Sequence, residues 1–338
     1  MTWQRAAGIG LGILADKIFA DPRRFHPVAG FGEVSRVVES RLYRDDRGAG
    51  AGYLLAMTVP LGAGAYLIQR LVRRHPLLEV LATGAATWTV LCGEGARRAA
   101  AGIAEPLAAG DTAAARKAFP QMFFVSADPL TDAELPRVVI FAVSECLCDA
   151  EVAPLFWGVT AGIPGLLLYR AINVLDNRIG FRSEKYLRFG WASARLDDLV
   201  NYVPARLGAA MAVACSPLTG GSAGAALRIW RRDAGIDSSP NSGQLFATFA
   251  GSLGIRLAKP EQGNKPGTLI VAFGEGAEPE GREALTSVRI SRAVSALATA
   301  AALGIALCSP AHGRTKKGSS WAHSFSRTSS ARTSSPTR

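Results

Sequence analysis

The sequence predicts a mainly α, polytopic integral membrane protein with about four to five hydrophobic helices and helical polar loops. Three observations lead there. Residues of the Ala, Val, Ile, Leu, Met, Phe, Trp, Tyr and Cys set make up 49% of the 338 positions; counting the 36 Gly and dropping the 6 Tyr brings the apolar share to roughly 58%, where soluble domains average about 45–50%. Charged residues are only 19%, against a usual ~25%, and mean hydropathy is +0.17. Four long stretches are almost free of charge, and a bilayer crossing needs about 20 apolar residues. This composition excludes a disordered or fibrous chain and suits an ordinary cytosolic enzyme poorly.

In chain order, the first apolar run, Ala6 to Ala15, has no cleavage site and runs into Asp16-Lys17, so it is not expected to be a secretory signal. Polar residues 16–47 follow. Between Arg47 and Arg70 lie 22 uncharged residues; Pro76 to Gly93, with only Glu79 inside, comes after the basic turn of Arg70, Arg73 and Arg74. A two-helix hairpin is the natural arrangement. Residues 95–150 read as helical, punctuated by Gly110-Asp111. Between Glu151 and Arg170, 18 uncharged residues are interrupted by Gly162-Ile-Pro-Gly165, which allows either a span or a re-entrant hairpin; a broken helix at membrane depth needs protein or water to satisfy its freed backbone. A weaker fifth stretch, Leu199 to Leu218, carries Asn201, Pro204 and Arg206 in its first half. Thr268 to Phe273 is the one β-rich run, and Ala293 to Gly313 closes the folded part. Residues 1–310 thus form one membrane domain and 311–338 a basic, Ser/Thr-rich disordered tail. Basic and acidic residues share most loops, so charge bias does not set the topology.

The net charge of +11 is uneven: Arg314, Lys316, Lys317, Arg327, Arg332 and Arg338 sit in the tail with no acid. Such a tail cannot bury enough apolar surface to order itself. It suits a place beside anionic headgroups, and without an interleaved basic-aromatic groove in the body no nucleic-acid partner is expected. The five cysteines imply no disulfide framework, and none of the four histidines completes a zinc spacing with Cys146 and Cys148.

The chemistry-bearing residues cluster in the middle. Glu145 and Asp149, at i and i+4, share a helix face, where their repulsion calls for a cation or a shared proton; a solvated face accounts for the pair equally well. Asn173-Val-Leu-Asp176 and Arg195-Leu-Asp-Asp198-Leu-Val-Asn201 set carboxylates and amides beside apolar segments, and Asp197, Asp198 and Asn201 lie within one helical turn. Adjacent oxygen ligands suit a hard cation such as Mg²⁺, and a salt-bridged interfacial helix is the structural alternative. Ser239-Pro-Asn-Ser-Gly243 looks like a helix-capping loop in which Asn241 or Ser242 accepts from the first free amides, with Arg231-Arg232 nearby to favour an anion. A P-loop, a nucleophile elbow and a zinc-protease helix are all missing from the sequence.

Taken together these residues resemble the CobD/CbiB family of cobalamin-biosynthesis membrane proteins, the adenosylcobinamide-phosphate synthases. The matching pieces run in order from Leu14-Ala-Asp16, Asp21-Pro-Arg-Arg24 and His26-Pro-Val28 through Val125-Ser126 and Asp128 to Val152-Ala-Pro-Leu-Phe-Trp157 and Leu168-Tyr-Arg-Ala-Ile-Asn173. They continue with Glu184-Lys-Tyr186, Phe189-Gly-Trp191, Ala194-Arg-Leu-Asp-Asp198, Pro204-Ala-Arg206, Arg232-Asp233, Ser239-Pro-Asn241 and Phe249-Ala-Gly251. The likeness covers about residues 7 to 305 and is most specific over 152–206.

The resemblance implies an ATP-dependent, Mg²⁺-assisted acid–amine ligase in the inner cell membrane, crossing it several times. It would join the propionate carboxyl of adenosylcobyric acid to the amine of aminopropanol or its phosphate. A carboxylate is a poor electrophile and needs activation, for instance as an acyl phosphate, with metal and cationic groups neutralising phosphoryl charge. On that footing Asp176, Asp197 and Asp198 are expected to hold Mg²⁺, and Arg232, Asn241 and Ser242 phosphate. Glu145 is the expected base, with Asp149 beside it, and Asp21, Arg23, His26, Asn173, Arg195 and Asn201 are further binding residues. The sequence departs from the family's pattern at Ala127 and Pro129, at Glu145-Cys-Leu-Cys-Asp149-Ala, and at Gln262-Gly-Asn-Lys-Pro-Gly267, losing polar groups of the kind that touch substrate. A non-catalytic membrane carrier or corrinoid-handling scaffold is the competing function; it would place its acids at mid-bilayer rather than in one water-accessible pocket.

Overall fold

The computed structural model describes residues 3–20, 26–123, 125–260 and 270–308. Among them, three helical stretches are long and apolar enough to cross a membrane: Arg47–Val72, Pro76–Ala108 and Gly281–Cys308. The chain opens with α1 (Trp3–Phe19) and α2 (Pro27–Leu42), then α3 (Arg47–Val72), α4 (Pro76–Val90) and α5 (Gly93–Ala108). Asp46 caps α3 by accepting from the Ala49 N–H, and Pro76 opens α4 where no amide hydrogen is needed. The turn Arg73–His75 joins α3 to α4 where the hairpin was expected, and α10 packs against both.

Close helix packing in an apolar layer relies on small residues. On α1, Gly8 and Gly12 lie one turn apart against Thr83, Gly84 and Thr87 of α4, and a Cβ at Gly8 would sit 2.5 Å from the Thr83 Cβ. The outward faces carry exposed Leu14 and Ile18 on α1, Leu55, Val59, Leu67 and Leu71 on α3, and Leu77 and Leu81 on α4. These are side chains for lipid rather than for water.

Beyond α5 come α6 (Thr112–Ala118), the short α7 (Pro120–Phe123) and α8 (Glu134–Leu147). Asp111 caps α6 through the Ala114 N–H, which is where Gly110-Asp111 was expected to break the helical run. A π-helical turn, Cys148–Val152, joins α8 to α9 (Ala153–Ala161), and α10 (Ile163–Ile179) follows after Gly162.

The interrupted stretch 152–175 is therefore a helical hairpin. Gly162 has φ +70° and ψ −144°, a region open to glycine alone. Gly158 and Gly165 let the two arms touch, since a Cβ at Gly158 would meet Leu166 at 2.9 Å. The tip is satisfied by polar side chains from elsewhere: the Ile163 N–H donates to Gln69 Oε1 at 2.9 Å, and Arg5 donates to the Val159 carbonyl at 3.2 Å. Both ends of the hairpin consequently return to the same end of the molecule.

The fifth candidate stretch is the second half of α11 (Trp191–Cys215), which runs unbroken from the loop after α10. A 3₁₀ turn, Ser216–Thr219, leads to α12 (Ala223–Asp233) and α13 (Ser242–Leu253). The expected β run is one arm of a two-stranded antiparallel hairpin, β1 (Arg256–Pro260) with β2 (Ile270–Gly274), in which Leu257 pairs with Phe273. The last helix, α14 (Gly281–Cys308), packs its first half along α5 and α8 and its second half along α1. Leu135, Val139, Ile140, Phe249, Phe273, Val288 and Ile290 form the buried core of the part made by α5–α8, α11–α13 and the start of α14. Of the four to five hydrophobic helices expected, three meet the length and composition of a span; the remaining two stretches became the hairpin and α11.

Candidate functional site

A cavity of about 710 Å³ opens where the hairpin, α11 and the loop before α13 meet. Five carboxylates line it: Glu145 from α8, Asp149 from the π turn, Asp176 from α10, and Asp197 and Asp198 from α11. Asn201, Asn241, Ser242 and Arg195 complete the expected set on its wall, joined by Arg47, Arg182, Tyr186 and Ser239. Residues spread over almost 100 positions of sequence are thus gathered because α9 leads away from the site and α10 leads back to it.

Hydrogen bonds fix the wall. The Asn173 side chain donates to Asp149 Oδ2 at 3.0 Å, Asn201 donates to Asp197 Oδ2 at 3.0 Å, and the Tyr169 hydroxyl donates to Asn201 Oδ1 at 3.0 Å. Arg195 reaches Asp198 at 3.4 Å. Opposite, Asp237 accepts from the Ser239 N–H, and Ser239 Oγ accepts from the N–H groups of Asn241 and Ser242. The capping acceptor of this loop is therefore Ser239 rather than Asn241 or Ser242. Asn241 instead donates across the cavity edge to the Asp198 carbonyl at 2.8 Å, which ties α13 to α11.

Electrostatics follow from crowding. Glu145 is open to the cavity yet ringed by protein; burial first, and the neighbouring Asp149 second, push its carboxyl up to about 7. Burial and then Asp149 push Asp176 up to about 6. Asp149 and Asp197 are raised chiefly by burial, Asp197 also by Asp149 and Asp176. Asp198 is raised by burial, with Arg195 and Arg182 pulling the other way. Cations set against such a floor would be favoured by the removal of this repulsion.

The donors also fit a hard cation. Asp197 Oδ1 and Asn241 Oδ1 are buried oxygens that accept no hydrogen bond. Among the described residues no three His, Cys, Asp or Glu side chains converge as a metal cage. Mg²⁺ in phosphate chemistry takes one or two carboxylates and keeps waters, so dispersed carboxylates with unused oxygens suit it better than a closed cage would.

Other expected residues lie elsewhere. Arg232, on α12, is exposed and paired with Asp233 and Glu275, outside the cavity wall. His26 caps α2, accepting from the Val28 N–H at 3.3 Å. Asp21, Arg23 and the 262–267 loop fall outside the described residues, as does the tail 311–338. Arg47 and Arg182 were not anticipated. Neither is ion-paired among the described residues, and their only sequence signal was a boundary charge and a short loop. Tyr186 belongs to the Glu184-Lys-Tyr186 motif; its hydroxyl donates to Glu39 Oε1 at 2.7 Å, and Lys185 donates to the same oxygen at 3.0 Å, which anchors the loop 180–190 over the cavity.

Comparison with known proteins gives a consistent picture. The model of the family described as "CobD/Cbib protein" matches residues 9–291. A Mycobacterium tuberculosis protein named "Cobalamin biosynthesis protein CobD" is 42% identical over 296 residues, covering 87% of this chain and 94% of its own. Proteins of the same name from Geobacter metallireducens and Chromobacterium violaceum are 37% and 35% identical, covering 72% and 73% of this chain and 79% of each relative. No solved structure matches.

Proposed function

The chain belongs to the CobD/CbiB family, and from that premise we propose that it acts in cobalamin biosynthesis as an acid–amine ligase of the inner cell membrane, crossing it several times. In this reading it adds aminopropanol or its phosphate to the propionate carboxyl of adenosylcobyric acid. The observation that carries the reading is the single acidic cavity into which α8, the π turn, α10 and α11 each bring a carboxylate. The cavity shares its level with Arg47, the first residue of the long apolar helix α3, and so lies toward that helix's polar end. This favours an enzyme over a carrier, whose acids would belong at mid-helix.

Chemically, an alkylammonium ion is drawn to the acidic floor and must lose a proton before its nitrogen attacks an acyl carbon. Glu145, held near neutrality, is suited to take that proton at its carboxylate oxygen, and Asp149 keeps it basic through repulsion. One or two of Asp176, Asp197 and Asp198, with Asn241 Oδ1, would hold Mg²⁺ together with water. ATP with that ion would supply activation of the carboxyl when bound. Ser242, Asn201 and Arg195 on the wall, with Arg47 and Arg182, would orient anionic groups.

The test is complementation of cells unable to convert cobyric acid to cobinamide, paired with an amide-formation assay on the purified chain. Wild type should restore growth, and Glu145→Gln should lower the rate about 100-fold. A wild-type chain that neither complements nor forms the amide would remove the reading.

A further inference from the structure

The π turn Cys148–Val152 presents Asp149 to the cavity on one side and buries Glu151 on the other. A π turn carries one residue more than the α-helix it interrupts, and such turns are frequent at functional sites. Were Cys148–Val152 to relax into continuous α-helix, one residue of register would turn Asp149 by about 100° and point it away from the other carboxylates. Something must hold the extra residue in place.

On the cavity side, Asn173 donates to Asp149 Oδ2. On the far side, Glu151 forms an ion pair with Arg97 of α5, with both side chains almost wholly buried at 5% and 7% exposure. Gly93, at the start of α5, makes room for it: a Cβ there would land on the Glu151 carboxylate. Arg97 is held in turn by Glu94 at 3.1 Å, and the Glu94 N–H donates to Asp16 of α1 at 3.3 Å. A buried ion pair is often no more stabilising than an apolar pair of the same volume, but a buried charge that loses its partner is costly, and that cost resists any shift of Glu151 away from Arg97.

We infer that Arg97 and Glu151 are positioning residues: their ion pair pins the π turn against α5 and so sets the direction in which Asp149 faces the cavity. The catalytic half of this statement rests on the reading of Asp149 given above; the pinning itself does not.

The experiment uses the full chain in lipid nanodiscs and two measurements. Removing one charge alone, as in Glu151→Gln, risks misfolding by leaving the other buried and unpaired. The main variant is therefore Arg97→Met with Glu151→Met, and Arg97→Lys is the conservative control. Hydrogen exchange of the peptide 145–155 should speed up at least tenfold in the double variant, with α10 and α11 unchanged. The kcat for amide formation should fall about 100-fold at unchanged KM, and Arg97→Lys should recover most of both. A folded double variant with wild-type exchange at 145–155 overturns the pinning; faster exchange with wild-type kcat overturns its link to Asp149. Faster exchange in a chain whose wild type forms no amide upholds the pinning and removes the ligase reading instead.

Discussion

Asp149, Asp176 and Asp197 face one another across a void, and none can ionise without raising the cost for the rest. Glu145 and Asp176, at about 7 and about 6, therefore hold protons in the folded chain at pH values where the unfolded chain has released them. Between the ordinary carboxylate range and about 7 the folded state binds more protons, so stability falls as pH rises through that window. In buffer free of divalent cations, Tm should be higher at pH 5 than at pH 8. Glu145→Gln and Asp176→Asn should each flatten that slope; an unchanged slope in both would refute the account. The sequence revealed these residues because an i, i+4 carboxylate pair and adjacent aspartates beside apolar runs are costly without a purpose. It concealed Arg47 and Arg182, whose relevance depends only on which loops fold over the cavity. Arg232 shows the converse, since its sequence neighbourhood suggested an anion site and folding turned it toward Glu275.

At the scale of elements, the α9–α10 hairpin decides whether the site exists. Its tip depends on Gln69 and Arg5, which belong to helices far away in sequence. Gln69→Leu should leave the Ile163 amide buried without an acceptor and cost about 1–3 kcal/mol, read as a lower midpoint in thermal unfolding. Gly162→Ala should cost at least as much, because the added Cβ meets Gln69 at a backbone angle only glycine adopts. Wild-type midpoints for both would mean the tip is not stabilised in this way. Gly162-Ile-Pro-Gly165 announced a break, but a break alone does not say whether the chain continues or reverses. That choice is made by Gly158, Gly165 and Gln69, through contacts that no local pattern encodes. The π turn was equally hidden: Cys148 to Val152 reads as ordinary helix until Glu151 finds Arg97.

Across the whole molecule, α3 joins the cavity end, at Arg47, to the basic turn at Arg70, Arg73 and Arg74. At 26 residues it is about 39 Å long, more than the ~30 Å apolar layer requires. Arg195→Cys and His75→Cys, each in a chain otherwise free of cysteine, should therefore react with an impermeant maleimide from opposite sides of sealed vesicles. Labelling from one side would exclude α3 as a crossing. This two-ended plan was legible from the hairpin of apolar runs and the charged turn between them. The assignment of 199–218 was not, because α11 begins eight residues earlier in the loop that lines the cavity. One helix, α14, belongs to both ends, with its first half against α5 and α8 and its second beside α1. If that rod stands along the bilayer normal, its 28 residues set how far the acids lie from the opposite end, and a thicker or thinner bilayer would tip the body rather than spread them.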